Sequence, residues 1–441
     1  MARIHIIGGG LAGLAAAVEC AIAGRAVALY EAAGQAGGRC RSFYDEKIDA
    51  VIDNGNHLLL SGNRAARAYL RRIGAADRLT GPDAAVFPFI DLETGERWQL
   101  RPGDGWLPLW IRDPRRRVPG TRAHDYLAFL RLILAGSGRT VSEVLGNRGT
   151  LYRRFWEPLV VAALNSSPEK AAAALLGPVL RETFLRGGRY CRPLIARESL
   201  AHALVDPALH LLRVRGAEVR LHARVNRLEF AGDHVEAIHF GRERCVLDAG
   251  DRVILAVPAR IARTLVPGLT VPEEGEAIVN VHYRLPERGE PPVQIIGLVG
   301  GLAQWVFRRG EILSVTISAA DPVAARPASD IAAACWSDVA RALDLGATAA
   351  PPAWRVIKEK RATFAATPES LARRPGVRTR WRNLCLAGDW TNTGLPATIE
   401  SAIRSGHKAA QHAMGRHAGD RRRKGTGHRD GSLAEPGAHK P

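Results

Sequence analysis

The sequence predicts an α/β protein: a Rossmann-type dinucleotide-binding domain interleaved with an α+β substrate domain. Three features carry that prediction. Residues 4–7 form a short apolar run that ends in Gly8-Gly9-Gly10, followed by Leu11-Ala12-Gly13 and an alanine-rich helical stretch to Ala23. Gly24 stops that helix, residues 27–30 read as a second strand, and Glu31 stands at its end. Far downstream, Leu384-Cys385-Leu386 reads as a buried strand ending in Ala387-Gly388-Asp389, and residues 394–402 read as a turn entering a helix.

Each element has a chemical reason. In a strand–turn–helix–strand unit, Gly8 makes the tight turn, Gly10 lets backbone approach a pyrophosphate, and Gly13 permits close helix–strand packing. The helix N-terminus attracts the anion, and Glu31 can accept the ribose hydroxyls. This fingerprint alone does not separate nicotinamide from flavin. Gly37-Gly38-Arg39 adds a second glycine turn whose Arg39 can fork onto phosphate oxygens. The Gly388-Asp389 turn suits an extended cofactor. Asp389 would bind its ribityl or pyrophosphate region, and the following helix entry, with Ala397 and Thr398, would face the flavin pyrimidine edge. The expectation is therefore a flavoprotein like glutathione reductase, with FAD bound. The rival is a Rossmann domain with an unrelated αβ unit at its end.

Together, Gly8-x-Gly10-x-x-Gly13, Glu31, Gly37-Gly38-Arg39 and Ala387-Gly388-Asp389 resemble the FAD-dependent amine oxidase and phytoene desaturase superfamily. Within it, residues 52–60 (Ile-Asp-Asn-Gly-Asn-His-Leu-Leu-Leu), Trp156-Glu157-Pro158 and Ala162-Ala163-Leu164-Asn165 resemble the hydroxysqualene dehydroxylase family. The resemblance runs from residue 1 to about residue 415. Asn56 stands where that family implies Gln, and Asn63-Arg64 where it implies an aromatic. The resemblance implies that Asn54 and Gly55 pass beneath the isoalloxazine and that the Val225 backbone touches the adenine end. It also implies an isoprenoid substrate, hydroxysqualene, whose allylic hydroxyl is replaced by a hydride from reduced flavin to give squalene for hopanoid or triterpenoid biosynthesis.

Such chemistry wants a proton donor for the departing hydroxide and a dry pocket lined by rings or alkyl surface. His57 is the leading donor, since its ordinary pKa lies near cytoplasmic pH; a hydrogen-bonded residue fixing the turn is the alternative. Asn165 lies in an apolar stretch, where burial is costly, so it is expected to point at flavin or substrate hydroxyl unless it caps a helix. Trp106, Trp110, Phe155, Trp156 and Trp305 are pocket or core candidates. The run from Lys358 to Arg361 reads as a solvated face.

At 441 residues and 46% hydrophobic, the chain can bury two cores. No run reaches a membrane span; the longest candidate, residues 291–307, is uncharged but broken by Gly297, Gly300, Gly301 and two Gln, so it reads as buried strands. Met1-Ala2-Arg3 leads straight into the first strand, so no cleaved leader is expected. Cys20, Cys40, Cys191, Cys245, Cys335 and Cys385 show no CxxC or paired spacing, which points to reduced thiols, a cytoplasmic setting and no metal site. The formal charge of +18 comes from dispersed Arg without a recognition motif, so no nucleic-acid partner is expected. It does favour peripheral contact with an anionic membrane face, with Arg115-Arg116-Arg117 and residues 421–424 as local clusters. Nothing in the sequence names an electron donor.

The expected organisation is discontinuous: residues 1–80, 195–265 and 378–416 for FAD, residues 81–194 and 266–377 for substrate, and a disordered basic tail at 417–441. In the helical part of the substrate segment, Tyr126, Leu127, Phe129, Leu130, Leu132, Ile133 and Leu134 are expected on one apolar face. Competing functions on this fold are a carotenoid-type desaturase, an amine oxidase with Trp390 as its one cage candidate, and a non-enzymatic prenyl-lipid binder like the GDP-dissociation inhibitors.

Overall fold

Five parallel strands form the sheet on which the site is built, in the order Glu218–Arg220, Ala26–Tyr30, Arg3–Ile7, Arg252–Leu255 and Leu384–Leu386. The computed structural model describes residues 2–105, 107–286, 294–346 and 350–415. Trp106, residues 291–293 of the apolar run, and the 417–441 tail with its basic cluster lie outside the described residues.

These strands are short apolar runs because both faces of the sheet are covered. Alternation divides the cover cleanly. Ile6, Val27, Leu29 and Ile254 face a helical layer, whereas Ile7, Ala28, Tyr30, Val253 and Leu255 face the other core. The helical layer contains Leu11–Ile22, Ile399–Ala413 and Asp206–Val214. Ten of the twelve residues of Leu11–Ile22 are buried, so its alanines serve close packing rather than an amphipathic surface. Gly406 is the point of closest approach: a Cβ there would lie 2.2 Å from the Ala12 carbonyl oxygen. On the opposite face, Arg227–Ala231, His234–Phe240 and Glu243–Val246 make an antiparallel sheet, and Phe240 packs on Tyr30 at 4.7 Å between ring centroids.

A seven-stranded sheet runs Trp354–Glu359, Ile278–Arg284, Ile312–Ile317, Trp305–Arg309, Gln294–Val299, Phe87–Asp91 and Arg97–Leu100. All its pairs are antiparallel except Gln294–Val299 with Phe87–Asp91. Helix Ala328–Ala342 covers it through Ile331, Cys335, Trp336 and Val339, against Val281 and Tyr283. Pro193–Ala196 pairs with Leu59–Leu60 and Leu79–Thr80, returning the chain beside its first segment.

The sequence also predicts strands at 218–221, 226–230, 253–258, 279–283, 305–307 and 313–317, and a strand forms at each of them. The strand from Val253 ends at Leu255 rather than running to Pro258, because Pro258 opens helix Ala259–Leu265. The expected apolar face of residues 126–134 is corrected. Tyr126 and Leu132 are buried, but Leu127, Leu130 and Leu134 are exposed, because the segment is a 3-10 turn followed by a short helix, Ala128–Ile133, with only one side against the core. No described helix is long and apolar enough to cross a membrane. None of the six cysteines forms a disulfide, and the described residues hold no group of three or more metal-ligating side chains.

Gly406→Val should overpack the contact between the first and last helices. We expect a loss of about 1–3 kcal/mol, or failure to fold, read as the urea midpoint; an unchanged midpoint would mean that the helices do not approach as described.

Candidate active site

The carboxyl ends of the parallel strands supply the site. Strand order reverses between Arg3–Ile7 and Arg252–Leu255, the position at which open α/β sheets leave a crevice. Gly8 turns there with φ +107°, and a Cβ on it would lie 2.5 Å from the Ala256 carbonyl oxygen. A Cβ on Gly13 would lie 1.9 Å from the Gly8 oxygen. Gly10 is different, since no atom lies within 4 Å of where its Cβ would be. Helix Leu11–Ile22 begins at Gly10 with no side-chain cap, so its first N–H groups are available to an anion. Gly37, at φ +107°, donates its N–H to Gly9 O at 2.8 Å, which lays Gly38 against Gly10 as a second glycine wall. Open ground above Gly10 and an uncapped helix start fit the pyrophosphate of a dinucleotide.

Glu31 stands at the end of its strand as expected. Its carboxylate accepts the Gly9 N–H at 2.7 Å and the Ala33 N–H at 2.8 Å. Its carbonyl accepts the Ala223 N–H at 2.8 Å, which brings buried Val225 close to the same edge.

Arg39 and Asp389, 350 residues apart, form an ion pair of 2.7 Å. Arg39 also donates to the Ala362 carbonyl. Its guanidinium, expected to fork onto phosphate, is thus held from two sides by protein, and the Asp389 charge raises its pKa further. Asp389 belongs to a loop that sequence reasoning left unexplained. Arg374, buried, donates to the carbonyls of Asp389, Trp390, Thr391 and Leu395 and to Thr393 Oγ1; burial pushes its pKa down to about 10. Gly388, at φ +144°, leaves room for the Trp390 indole, whose Nε1 donates to Val257 O at 2.9 Å. Trp390 is therefore a buried strut rather than a cage wall.

Thr398 caps helix Ile399–Ala413 by accepting the Ser401 N–H at 3.1 Å, with half-buried Ala397 just before it. Glu400, in the first turn, reaches away to the N–H groups of Ala65 and Ala66 at 3.0 and 2.9 Å. It caps helix Arg64–Arg72, whose own N-cap residue Asn63 makes no side-chain cap. No local signal reveals a cap that comes from 335 residues away.

The 53–57 segment crosses the same region. Asn54 is buried and fixed by Arg41 at 3.1 Å and Glu359 at 3.3 Å. A Cβ on Gly55 would lie 3.1 Å from Asn280 Nδ2. Asn56, the departure from Gln, donates to Thr316 Oγ1 at 3.0 Å. His57 lines a small cavity with Asp53, Asn56, Ile195, Phe307 and Arg309. Burial, and then the Arg39 charge, lower its pKa to about 4 against the pull of Asp53 and Asp389. The expectation of an imidazole titrating near neutrality is corrected: the ring is neutral at pH 7 and can offer an N–H, not a full imidazolium.

Asn165 is corrected too. It ends helix Glu157–Leu164 in the left-handed conformation, φ +49°. Its Nδ2 donates to Glu276 O at 2.5 Å and Thr363 Oγ1 at 3.1 Å, and its Oδ1 accepts the Ala319 N–H at 2.7 Å. Its polar atoms are spent tying a helix end to the seven-stranded sheet, which removes it from the catalytic candidates.

The profile of flavin containing amine oxidoreductases matches residues 11–414. Over 415 residues the chain is 48% identical to a hydroxysqualene dehydroxylase of Sinorhizobium fredii, covering 93% of this chain and 98% of that one. Over 409 residues it is 48% identical to a hydroxysqualene dehydroxylase of Rhodopseudomonas palustris, covering 92% and 97%. Among solved structures, cyclohexylamine oxidase from Brevibacterium oxydans superposes with a TM-score of 0.66 at 17% identity, covering 94% of this chain and 99% of that one, and so shares its fold.

Arg374→Gln leaves several buried carbonyls without a donor, a change worth about 3–5 kcal/mol. It should purify with little bound flavin, as should Asp389→Ala; full loading of either would remove it from the cofactor's support. A second outcome concerns acid. His282 is fully buried beside Ser314 Oγ at 2.8 Å, and burial lowers its pKa from 6.5 to about 4. The folded state therefore binds fewer protons than the unfolded chain. Its contribution, at most about 3 kcal/mol, is complete above pH 6.5 and is lost as pH falls towards 4. The wild-type urea midpoint should fall relative to that of His282→Gln as pH drops from 6.5 towards 4; parallel curves would contradict this.

Proposed function

We propose a reaction for a chain that belongs to the flavin containing amine oxidoreductases and, within them, to the hydroxysqualene dehydroxylases: reductive replacement of the allylic hydroxyl of hydroxysqualene by hydrogen, giving squalene and water. The observation that carries this reading is near-full-length identity of 48% to two proteins of that name. The chain is an FAD-dependent oxidoreductase, and bound reduced FAD supplies the hydride that reaches the carbon losing its hydroxyl.

The protein's own residues bind, orient and exclude water. Gly8, Gly10, Gly13 and the start of helix Leu11–Ile22 would receive the pyrophosphate, with Glu31 and Val225 at the adenosine end and Gly38 closing the second wall. Arg39, Gly388 and Asp389 would border the middle of the cofactor. Ala397 and Thr398, at the start of helix Ile399–Ala413, would lie where partial positive charge stabilises reduced flavin. Asn54 and Gly55 would form the floor, since Asn54 is held by Arg41 and Glu359 and Gly55 has no side chain to stand in the way.

Protonating or polarising the departing hydroxide needs a donor at the cavity. Neutral His57 can donate an N–H hydrogen bond there, while burial, and after it the Arg39 charge, keep the ring from charging. Ile195, Phe307, Leu58 and Trp305 form an apolar cluster at this cavity that would shield an allylic cation from water. The hydrophobic isoprenoid substrate also favours a cytoplasmic enzyme that works peripherally on a membrane.

Reduced protein mixed anaerobically with hydroxysqualene should reoxidise its flavin, with squalene appearing in equal amount. A reducible flavin indifferent to hydroxysqualene would sink the reading in favour of desaturase or amine oxidase chemistry. His57→Ala should stay yellow yet lose turnover about 10²-fold or more, whereas His57→Asn, which keeps a donor, should lose less. Because His57 is neutral above pH 4, wild-type kcat should show no His57 ionisation between pH 6 and 8.

A further inference from the structure

Five of the twelve large hydrophobic residues exposed among the described residues fall within 28 positions: Leu107, Leu109, Leu127, Leu130 and Leu134, between 46% and 83% exposed. Leu127, Leu130 and Leu134 follow the i, i+3, i+7 spacing of one helix face. Tyr126 and Leu132 turn inward from the same segment. The stretch holding Leu107 and Leu109 is brought alongside by an edge contact of 5.7 Å between the Trp110 and Tyr126 rings. A clustered apolar surface of this kind calls for a partner.

The charges around it say which partner. Arg112, Arg115, Arg122 and Arg131 are exposed on the same two segments, and Arg131 falls on the helix beside the leucine face. Leucines fringed by arginines complement a bilayer surface bearing anionic headgroups.

The core beneath the patch is packed without a break up to the wall of the cavity. Tyr126 and Phe129 pack on Phe155 and Trp156, and both Phe129 and Phe155 pack on Phe184. Phe184 meets Phe87 at 6.4 Å, and Phe89, on the same strand face as Phe87, meets Trp305 at 5.5 Å. Trp305 packs with Ile195 and Phe307, which line the cavity beside His57. An unbroken apolar seam thus leads from the exposed leucines to the site.

We propose that the leucine–arginine surface of residues 107–134 docks the protein on an anionic lipid bilayer, so that an apolar substrate dissolved in the bilayer is taken up from the face whose core packs against the cavity. The proposal rests on the isoprenoid reading above and adds where the substrate comes from.

The test uses full-length flavin-loaded protein and sedimentation with vesicles of phosphatidylcholine containing phosphatidylglycerol, or of phosphatidylcholine alone. Wild type should sediment with the anionic vesicles and much less with neutral ones. The variant Leu127→Ser, Leu130→Ser, Leu134→Ser should keep its flavin spectrum and bind at least ~10-fold more weakly, and Arg112→Glu with Arg131→Glu should abolish the preference for anionic vesicles. In detergent micelles carrying hydroxysqualene, the serine variant should turn over within about 2-fold of wild type while losing turnover on vesicles. Wild-type failure to sediment, or serine-variant binding equal to wild type, overturns the docking surface whatever the micelle assay gives. Binding abolished only by charge reversal in residues 421–424 overturns it in favour of the tail. Lack of turnover in micelles by wild type would instead strike the substrate reading and leave the vesicle result standing.

Discussion

A buried guanidinium held by backbone carbonyls organises the far end of the site. Arg374 gathers the carbonyls of Asp389, Trp390, Thr391 and Leu395 around itself. That fixes the loop between strand Leu384–Leu386 and helix Ile399–Ala413. The fixed loop presents Asp389, and Asp389 holds Arg39 from the other end of the chain. Arg39 in turn supplies part of the field that keeps His57 neutral. A charge taken from water at this cost is tolerable because its donors meet acceptors that a turning backbone would otherwise leave unsatisfied.

The same logic explains how an apolar pocket can assist loss of hydroxide. Water must be kept out, so an uncompensated charge near the reacting carbon is unwelcome; Asp53, which lines the cavity, is neutralised by Arg309 at 2.9 Å. In the proposed reaction a neutral imidazole flanked by Ile195 and Phe307 would give direction without adding charge, and the flanking Arg39–Asp389 pair is nearly self-compensating. The seven-stranded sheet serves this arrangement from behind: Asn280 and Thr316 fix Asn56, Arg309 holds Asp53 at 2.9 Å, and Asn165 locks a helix end to the sheet.

The cofactor half was largely legible because its rules are local. Glycines at 8, 10 and 13, a strand on each side and Glu31 at the second strand's end specify a turn whose steric demands are read residue by residue. Of the second sheet, the strands near 279, 305 and 313 were legible, whereas Phe87–Asp91, Arg97–Leu100 and Trp354–Glu359 were not. What escaped notice depends on long-range pairing. Arg374 is one arginine among many, Glu400 caps a helix 335 residues away, and the partners of Asn165 lie on three separate segments. The pKa of His57 was misjudged because burial is a property of the folded cavity. The outward leucines at 127, 130 and 134 carry the periodicity of a core face; only the packed layer beneath them reveals that the core is already full.

The central claim, hydride delivery to the carbon that loses its hydroxyl, is tested most directly with isotope. The protein is reduced in deuterated water, where the transferable flavin hydrogen exchanges, and given one equivalent of hydroxysqualene without oxygen. The squalene formed should carry one deuterium, at the carbon that bore the hydroxyl. Squalene without deuterium at that carbon, or no squalene beside a flavin that stays reduced, would contradict the account.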